Sequence, residues 1–502
     1  MTLRPFIASL VLALVALPAP AQRLPDLGDV SSASLSEQQE RTIGNRIMRE
    51  VRIDPAYLDD PEISDYVSAL GARLLAVADT PHPAIDYFVV QDDSINAFAL
   101  VGGHIGVHTA LIMLTQSESE LAGVLAHETA HVLQKHQARM IHGASRAQWT
   151  SLAALALAIL SSRSNSSQGG QITEAAIASA GALSMQTQID YTREHEREAD
   201  RVGLTLLDRA GFDPRGMESF FERLLRSNRV NEFKGMPAYL RTHPLTTERI
   251  ADMQDRLQSV AAKMVPDSFD YRLARAKLRA MSGSPSEAVT LFRTALEDQS
   301  VLRPREDVYG LAYALWRARD LDGAWKALEP IRPRQPDAKA LPTFGVALPP
   351  TPAIELLAGQ VKADMHKEDE AEAIYRAALR DAPHNRGLAY ALIELLLRTG
   401  RAGAALADLE ERIRYAPEDW RMYELQSRAF EAVKRPIAQH RAQAEAYFRR
   451  GNLAAAVDQL EIAVKQTRGS DFYELSIAES RLRDLRSQLE IEKAAEKALK
   501  IT

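Results

Sequence analysis

The chain has 502 residues, a net charge of −6 and no cysteine. The missing cysteine excludes thiol proteases, thiolate metal sites, disulfides and a lipid-modified N-terminal Cys. Charged residues make up 25% and hydrophobic residues 46%, a globular balance, and no Lys/Arg block is long enough for a nucleic-acid surface. At the start, Arg4 precedes an apolar stretch from Phe6 to Leu17 and small residues at Ala19 and Ala21. This reads as a signal peptide over 1–21, cleaved after Ala21. Its apolar part is shorter than the ~20 residues that a membrane-spanning helix needs.

Residues 22–35 are rich in Pro, Asp and Ser. From Glu37 to Val77 the pattern is helical, with a break between Pro55 and Pro61. Ile43, Ile47 and Val51 share a face before the break, and Tyr66, Leu70 and Leu74 share one after it. Ile85 to Val90 reads as a strand. After a turn at Gly102-Gly103, a short strand runs from His104 to His108, with Ile105 and Val107 on one face. The functional reading makes His104, Ile105, Gly106 and Val107 an edge strand that offers main-chain groups to an extended peptide. The plainer reading is a core strand with two solvent-facing histidines.

The chemistry concentrates in the stretch from Leu121 to His136. Leu121, Val124, Leu125 and Val132 repeat at helical spacing, and Ser117 to Glu120 supply an N-cap and negative charge. Within this helix lies His127-Glu128-x-x-His131. Two imidazoles four apart share one helical face and can reach one zinc ion, with Glu128 in the general-base position of a zinc protease. With 12 His and 67 acidic residues in the chain, about 0.04 such matches are expected by chance.

Next come an Ala/Leu run (Ser151 to Leu160), a Ser-rich linker and a second Ala-rich helix from Thr173 to about Ser184. These read as two small-residue helices packed closely together. A peripheral membrane contact through 151–184 is the other reading. A third metal ligand is still needed. Gln134 and Gln137 stand where the long metzincin motif has Gly and His, which excludes that form. In the helix that follows Tyr191, Glu196 shares the buried face with Ala199, Gly203, Leu206 and Leu207, whereas Glu194 and Glu198 look solvated. A metal would remove the cost of burying Glu196. The alternative is a buried ion pair with an arginine. Asp200, one turn on, is placed to accept a hydrogen bond from a liganding imidazole. His243 precedes Pro244, which favours an extended loop from which the ring projects.

Together, His127-Glu128-x-x-His131, Glu196-x-x-Ala199-Asp200 and His243-Pro244-x-x-x-x-Arg249-Ile250 resemble the gluzincin family of the HtpX, Oma and CAAX-prenyl (Ste) proteases. Asn96-Ala-Phe-Ala99 with Gly102-Gly103 is similar to that family's strand entering the cleft. The resemblance covers roughly residues 40–260 and looks like the exported, BepA-type branch. It implies one zinc ion, endopeptidase activity on unfolded or stalled outer-membrane proteins, a periplasmic location and partners in β-barrel assembly. It also implies that His243 lies beside the metal. There His243 either stabilises an oxyanion or fills the fourth metal position and holds the protease latent, the role the BepA-type branch implies. A loop histidine capping the next helix is the bland alternative.

The same branch implies a repeat domain, and the sequence carries one. Ala371, Tyr375, Ala378 and Pro383 fit the second helix of a tetratricopeptide repeat, and Ala405, Leu409 and Pro417 repeat three of these 34 residues on. Weaker copies are Ala288/Phe292/Ala295, Ala324/Leu328/Pro336 and Ala456/Leu460/Ala463. The wider steps imply an inserted loop from Leu341 to Pro352 and one extra helix. The expected fold is mainly α. An α+β zincin-like metalloprotease domain over 22–265, with a short edge-stranded sheet, precedes an α-solenoid of tetratricopeptide repeats over 266–502. The expected function is a zinc endopeptidase of envelope quality control. The alternative is a repeat-scaffold chaperone whose metal site is vestigial or structural.

Overall fold

The computed structural model describes residues 37–79, 82–137, 139, 182–229, 237–297, 304–332, 351–465 and 472–501. The expected signal peptide, the Ala-rich stretch from 151 to 181 and the inserted loop over 341–350 lie outside the described residues. Helices α1 (Glu37–Ile53) and α2 (Pro61–Leu75) flank the expected break. Asp60 caps α2 by accepting from the N–H groups of Glu62 and Ile63, and Pro61 takes the first helical position.

Strands β1 (Asp86–Val90), β2 (Ala97–Leu100) and β3 (His104–His108) form one sheet in the order β1-β3-β2. β1 is parallel to β3, and β2 is antiparallel to it. The β2–β3 turn needs its glycines, because Gly102 and Gly103 sit at φ of 87° and 85°. Side chains alternate between two covered faces. Tyr87, Val89, Ala97, Ile105 and Val107 join the main core with α2. Phe88, Val90, Phe98 and Leu100 pack on Ile47, Met48 and Val51 of α1.

This topology corrects the reading of His104, Ile105, Gly106 and Val107 as a peptide-binding edge strand. β3 is the middle strand, its main-chain groups are taken on both sides, and all five of its residues are buried. Its histidines do not face solvent either. His104 Nδ1 lies 3.4 Å from Asp86 Oδ2, and His108 Nδ1 is 3.0 Å from Ser94 Oγ. Alternation reveals a two-faced strand but not how many strands flank it. Here α1 covers the face that a lone alternating pattern leaves to water.

After α3 (Thr109–Leu114) comes α4 (Glu118–Leu133), buried at every residue from Glu118 to Val132. Ser117 caps it, accepting from the Glu120 N–H at 3.2 Å. Helices α5 (Ala182–Arg209) and α6 (Arg215–Arg229) lie against it, followed by α7 (Ala238–Thr242) and α8 (Thr247–Leu257). Contact is close enough that a Cβ on Gly123 would stand 2.8 Å from Met217 Cα in α6.

The rest is helical: α9 (Phe269–Met281), α10 (Pro285–Glu297), α11 (Arg305–Arg317), α12 (Leu321–Leu328), α13 (Pro352–Asp364) and α14 (Glu368–Asp381). Then come α15 (Arg386–Arg398), α16 (Ala402–Tyr415), α17 (Trp420–Ala432), α18 (Pro436–Arg449), α19 (Leu453–Lys465) and α20 (Phe472–Ile501). α13, α15 and α17 start at Pro352, Arg386 and Trp420, each 34 residues after the last. Ala371, Tyr375 and Ala378 on α14 and Ala405 and Leu409 on α16 are buried, as the repeat pattern requires. Two helices, α17 and α18, separate α16 from α19, which is the extra helix expected from the wide step. Among the described residues no helix is long and apolar enough to cross a membrane.

The array folds back onto α2 and joins it through charge. Lys277 of α9 binds Asp60 at 2.8 Å and also pairs with Glu62, while Arg421 of α17 reaches Asp59 at 3.0 Å and Arg386 of α15 pairs with Asp65. α9 serves both sides: Tyr271, Ala274 and Leu278 enter the main core, and Leu273, Ala276 and Ala280 enter the first repeats. The Lys277 side chain is only 6% exposed, against 27% for Arg421. Removing one partner of a buried pair costs about 3–5 kcal/mol, whereas a more exposed pair contributes about 0–1 kcal/mol. Denaturant unfolding should therefore show Lys277→Ala losing several kcal/mol and Arg421→Ala losing about 1 kcal/mol or less.

Candidate metal centre

α4 carries His127 and His131 on one face, and both residues are buried. α5 crosses α4 at Gly203, where a Cβ would stand 3.2 Å from His127 Cα. Glu196 lies two turns earlier on the same face of α5 and so meets both imidazoles. The loop after α7 adds His243.

The four side chains converge. His127 Nε2 and His131 Nε2 are 3.1 Å apart. Glu196 Oε2 lies 3.3 Å from His127 Nε2, and Glu196 Oε1 lies 3.4 Å from His131 Nε2. His243 Nδ1 is 3.0 Å from Glu196 Oε1 and 3.4 Å from His127 Nε2. All four donor atoms fall within 4.8 Å of one another, and all four residues are buried. Ligands held tetrahedrally at about 2.0–2.1 Å from one ion stand about 3.3 Å from each other. The donor set therefore fits a metal ion.

Electrostatics points the same way. Burial alone would raise the Glu196 carboxyl, but His243, His131 and His127 outweigh it and hold the group well below the usual carboxylate range. Burial pushes His131 down to about 3, against the pull of Glu196. At His127 burial is overcome by Asp200 and Glu196, and the ring is raised to about 9. Two buried carboxylates thus stay ionised here, with the Arg249 guanidinium beside both. Asp200 Oδ1 lies 3.0 Å from His127 Nδ1, on the side of the ring away from the cluster. Asp200 is held in turn by Arg249, with both nitrogen–oxygen distances at 2.7 Å.

Glu128 is fully buried, and among the described residues neither of its carboxylate oxygens has a hydrogen-bond partner; His243 Nε2 stands 3.4 Å from Oε1. His243 stacks on Tyr239, with ring centroids 4.7 Å apart. It does not cap α8, a role that Thr246 fills by accepting from the Arg249 N–H.

The structure thus brings together His127, Glu128, His131, Glu196, Asp200 and His243, and leaves His104 to Val107 in the sheet. The arginine alternative for Glu196 is present as well, because Arg249 Nη1 lies 2.9 Å from Glu196 Oε2. Both environments share one carboxylate. Glu198 departs from its expected solvated position: it is half-buried, 3.2 Å from His136 Nε2 and 3.1 Å from Arg139. Sequence reasoning missed His136 because it lies five residues past His131, off the helical face. Lys135, at a left-handed φ of 53°, turns the chain so that the ring comes back under His131. Burial pushes His136 down to about 4 and keeps it neutral.

Comparison with known proteins agrees with this geometry. Peptidase family M48 matches residues 61–257. The beta-barrel assembly-enhancing protease of Escherichia coli is 32% identical over 454 residues, covering 89% of this chain and 88% of that protein. That of Yersinia pestis is 35% identical over 322 residues, covering 63% of this chain and 64% of its own. The mitochondrial metalloendopeptidase OMA1 of Schizosaccharomyces pombe is 28% identical over 198 residues, 39% of this chain and 54% of that one. A buried His/Glu donor set built around a His-Glu-x-x-His helix, in a chain that continues into a helical repeat array and is matched along most of its length by such enzymes, makes this chain a metalloprotease that belongs to Peptidase family M48.

Proposed function

We propose that this metalloprotease is a periplasmic zinc endopeptidase that acts on unfolded or stalled outer-membrane proteins alongside the β-barrel assembly machinery. The observation that carries it is the 3.0–3.4 Å spacing of the buried donors. His127, His131 and Glu196 hold the metal; nitrogen and carboxylate donors in tetrahedral array suit zinc. Asp200 orients His127. The signal-peptide pattern read from residues 1–21 supports export. The names of the relatives support a role in β-barrel assembly. The repeat array, which occupies most of 266–502, supplies a surface for docking a substrate or partner.

When bound, zinc supplies a Lewis acid that polarises the scissile carbonyl and lowers the pKa of water. Glu128, whose oxygens have no hydrogen-bond partner among the described residues, takes the proton of the attacking water and delivers it to the leaving amine. The extended-peptide role passes from β3 to β2, which among the described residues is an outer strand with one paired side. The Asn96 carbonyl accepts from the His108 N–H at 3.0 Å, so strict alternation turns the main-chain groups of Ala97 and Ala99 away from β3, where the Ala99 carbonyl accepts from Gln137 Nε2 at 3.4 Å and a peptide would displace that side chain.

His243 is the latch. Its Nδ1 is a fourth donor, and a site closed by four protein ligands keeps no position for water. Proteolysis then requires His243 to leave.

Two variants test this reading. Glu128→Gln should retain fold and metal content yet lose proteolysis of an unfolded outer-membrane protein by about 10²–10⁴-fold, because the water loses its base. Retained cleavage would refute the mechanism. His243→Ala should raise unregulated proteolysis, self-cleavage included, and adding Glu128→Gln should abolish it. An inactive His243→Ala protein that still holds zinc would replace the latch with an oxyanion-stabilising role.

A further inference from the structure

His131 presents Nε2 to the other donors, 3.1 Å from His127 Nε2. An imidazole that offers a lone pair at Nε2 carries its proton on Nδ1. That proton needs an acceptor, and His136 Nδ1 stands 2.9 Å away in hydrogen-bonding geometry. To accept there, His136 must carry its own proton on Nε2. Its Nε2 lies 3.2 Å from Glu198 Oε2, again in hydrogen-bonding geometry. Arg139 Nη1 donates to the same oxygen at 3.1 Å. Every nitrogen in the chain then has one role, and no other assignment of protons leaves His131 Nε2 free.

The surroundings fix the relay in place. His136 has no exposed side-chain surface, and its ring lies flat on His195, with centroids 4.2 Å apart and planes 12° apart. The two metal-facing histidines are therefore supported unequally. His127 has a carboxylate, Asp200, directly behind it. His131 reaches its carboxylate through a second imidazole.

We propose that His136 and Glu198 form a positioning relay that holds His131 in the tautomer and orientation it needs to bind metal. This rests on the metal-binding role given above to His131. Partners behind a ligand typically contribute 10–100-fold to metal affinity or activity. The relay sets metal affinity before any substrate arrives.

The test is zinc affinity, measured by competition with a chelating indicator, together with melting of the metal-free protein. His136→Phe keeps the ring against His195 but has no acceptor. His136→Asn restores an acceptor oxygen where Nδ1 stood. His136→Phe should bind zinc about 10–100-fold more weakly with little change in metal-free melting temperature, and His136→Asn should recover most of the loss. Glu198→Ala should weaken binding in the same direction by less. Affinity unchanged in His136→Phe, or lost equally in both His136 variants along with metal-free stability, would overturn the relay. Absence of zinc binding in the wild-type chain would instead overturn the metal reading on which it rests.

Discussion

A helix with no solvent face must find partners inside the protein for the charges it carries. α4 is such a helix, and burying an ionised group without a partner costs several kcal/mol. Glu118 and Glu120 have partners, whereas Glu128 at the metal site has no hydrogen-bond partner among the described residues. The two partnered charges are therefore the points to which other elements attach. Glu120 is clasped by Arg223 of α6, with both distances at 2.6 Å. Glu118 accepts from Tyr66 of α2 at 3.1 Å and from Ser268, the N-cap of α9, at 2.7 Å. The helix that presents the metal-facing histidines thus also joins the catalytic half to the start of the repeat array.

Arg249 plays the matching part on the other side of the centre. One guanidinium binds Asp200, stands beside Glu196 and donates to the carbonyl of Pro244 at 2.9 Å. The group that steadies the metal helix α5 also holds the loop that carries His243. Glu196 and His243, the proposed ligand and latch, are kept in register by one buried cation, itself only 3% exposed.

Periodicity and motif spacing made much of this legible. The break between α1 and α2, the turn at Gly102-Gly103, the inward face of Glu196 and the 34-residue rhythm are all local patterns, visible without a fold. What stayed hidden depends on neighbours. Alternation in His104 to His108 could not tell a middle strand from an outer one, because that difference lies in β2 and in the cover supplied by α1. Glu198 looked solvated on a helical wheel, since its partners His136 and Arg139 come from a different element. His136 itself was out of reach, because its position depends on the left-handed turn at Lys135. The salt bridges between α2 and the array join residues hundreds of positions apart, and no spacing rule reports them.

The central claim is that four buried donors meet on one metal ion in the resting protein. Anomalous X-ray scattering at the zinc edge, from crystals of the full chain grown without substrate, tests it most directly. The account predicts one peak about 2.0–2.1 Å from His127 Nε2, His131 Nε2 and His243 Nδ1, and about 2.0–2.2 Å from a Glu196 oxygen. A fully occupied zinc peak away from these four side chains, or none in crystals soaked with zinc, would contradict it.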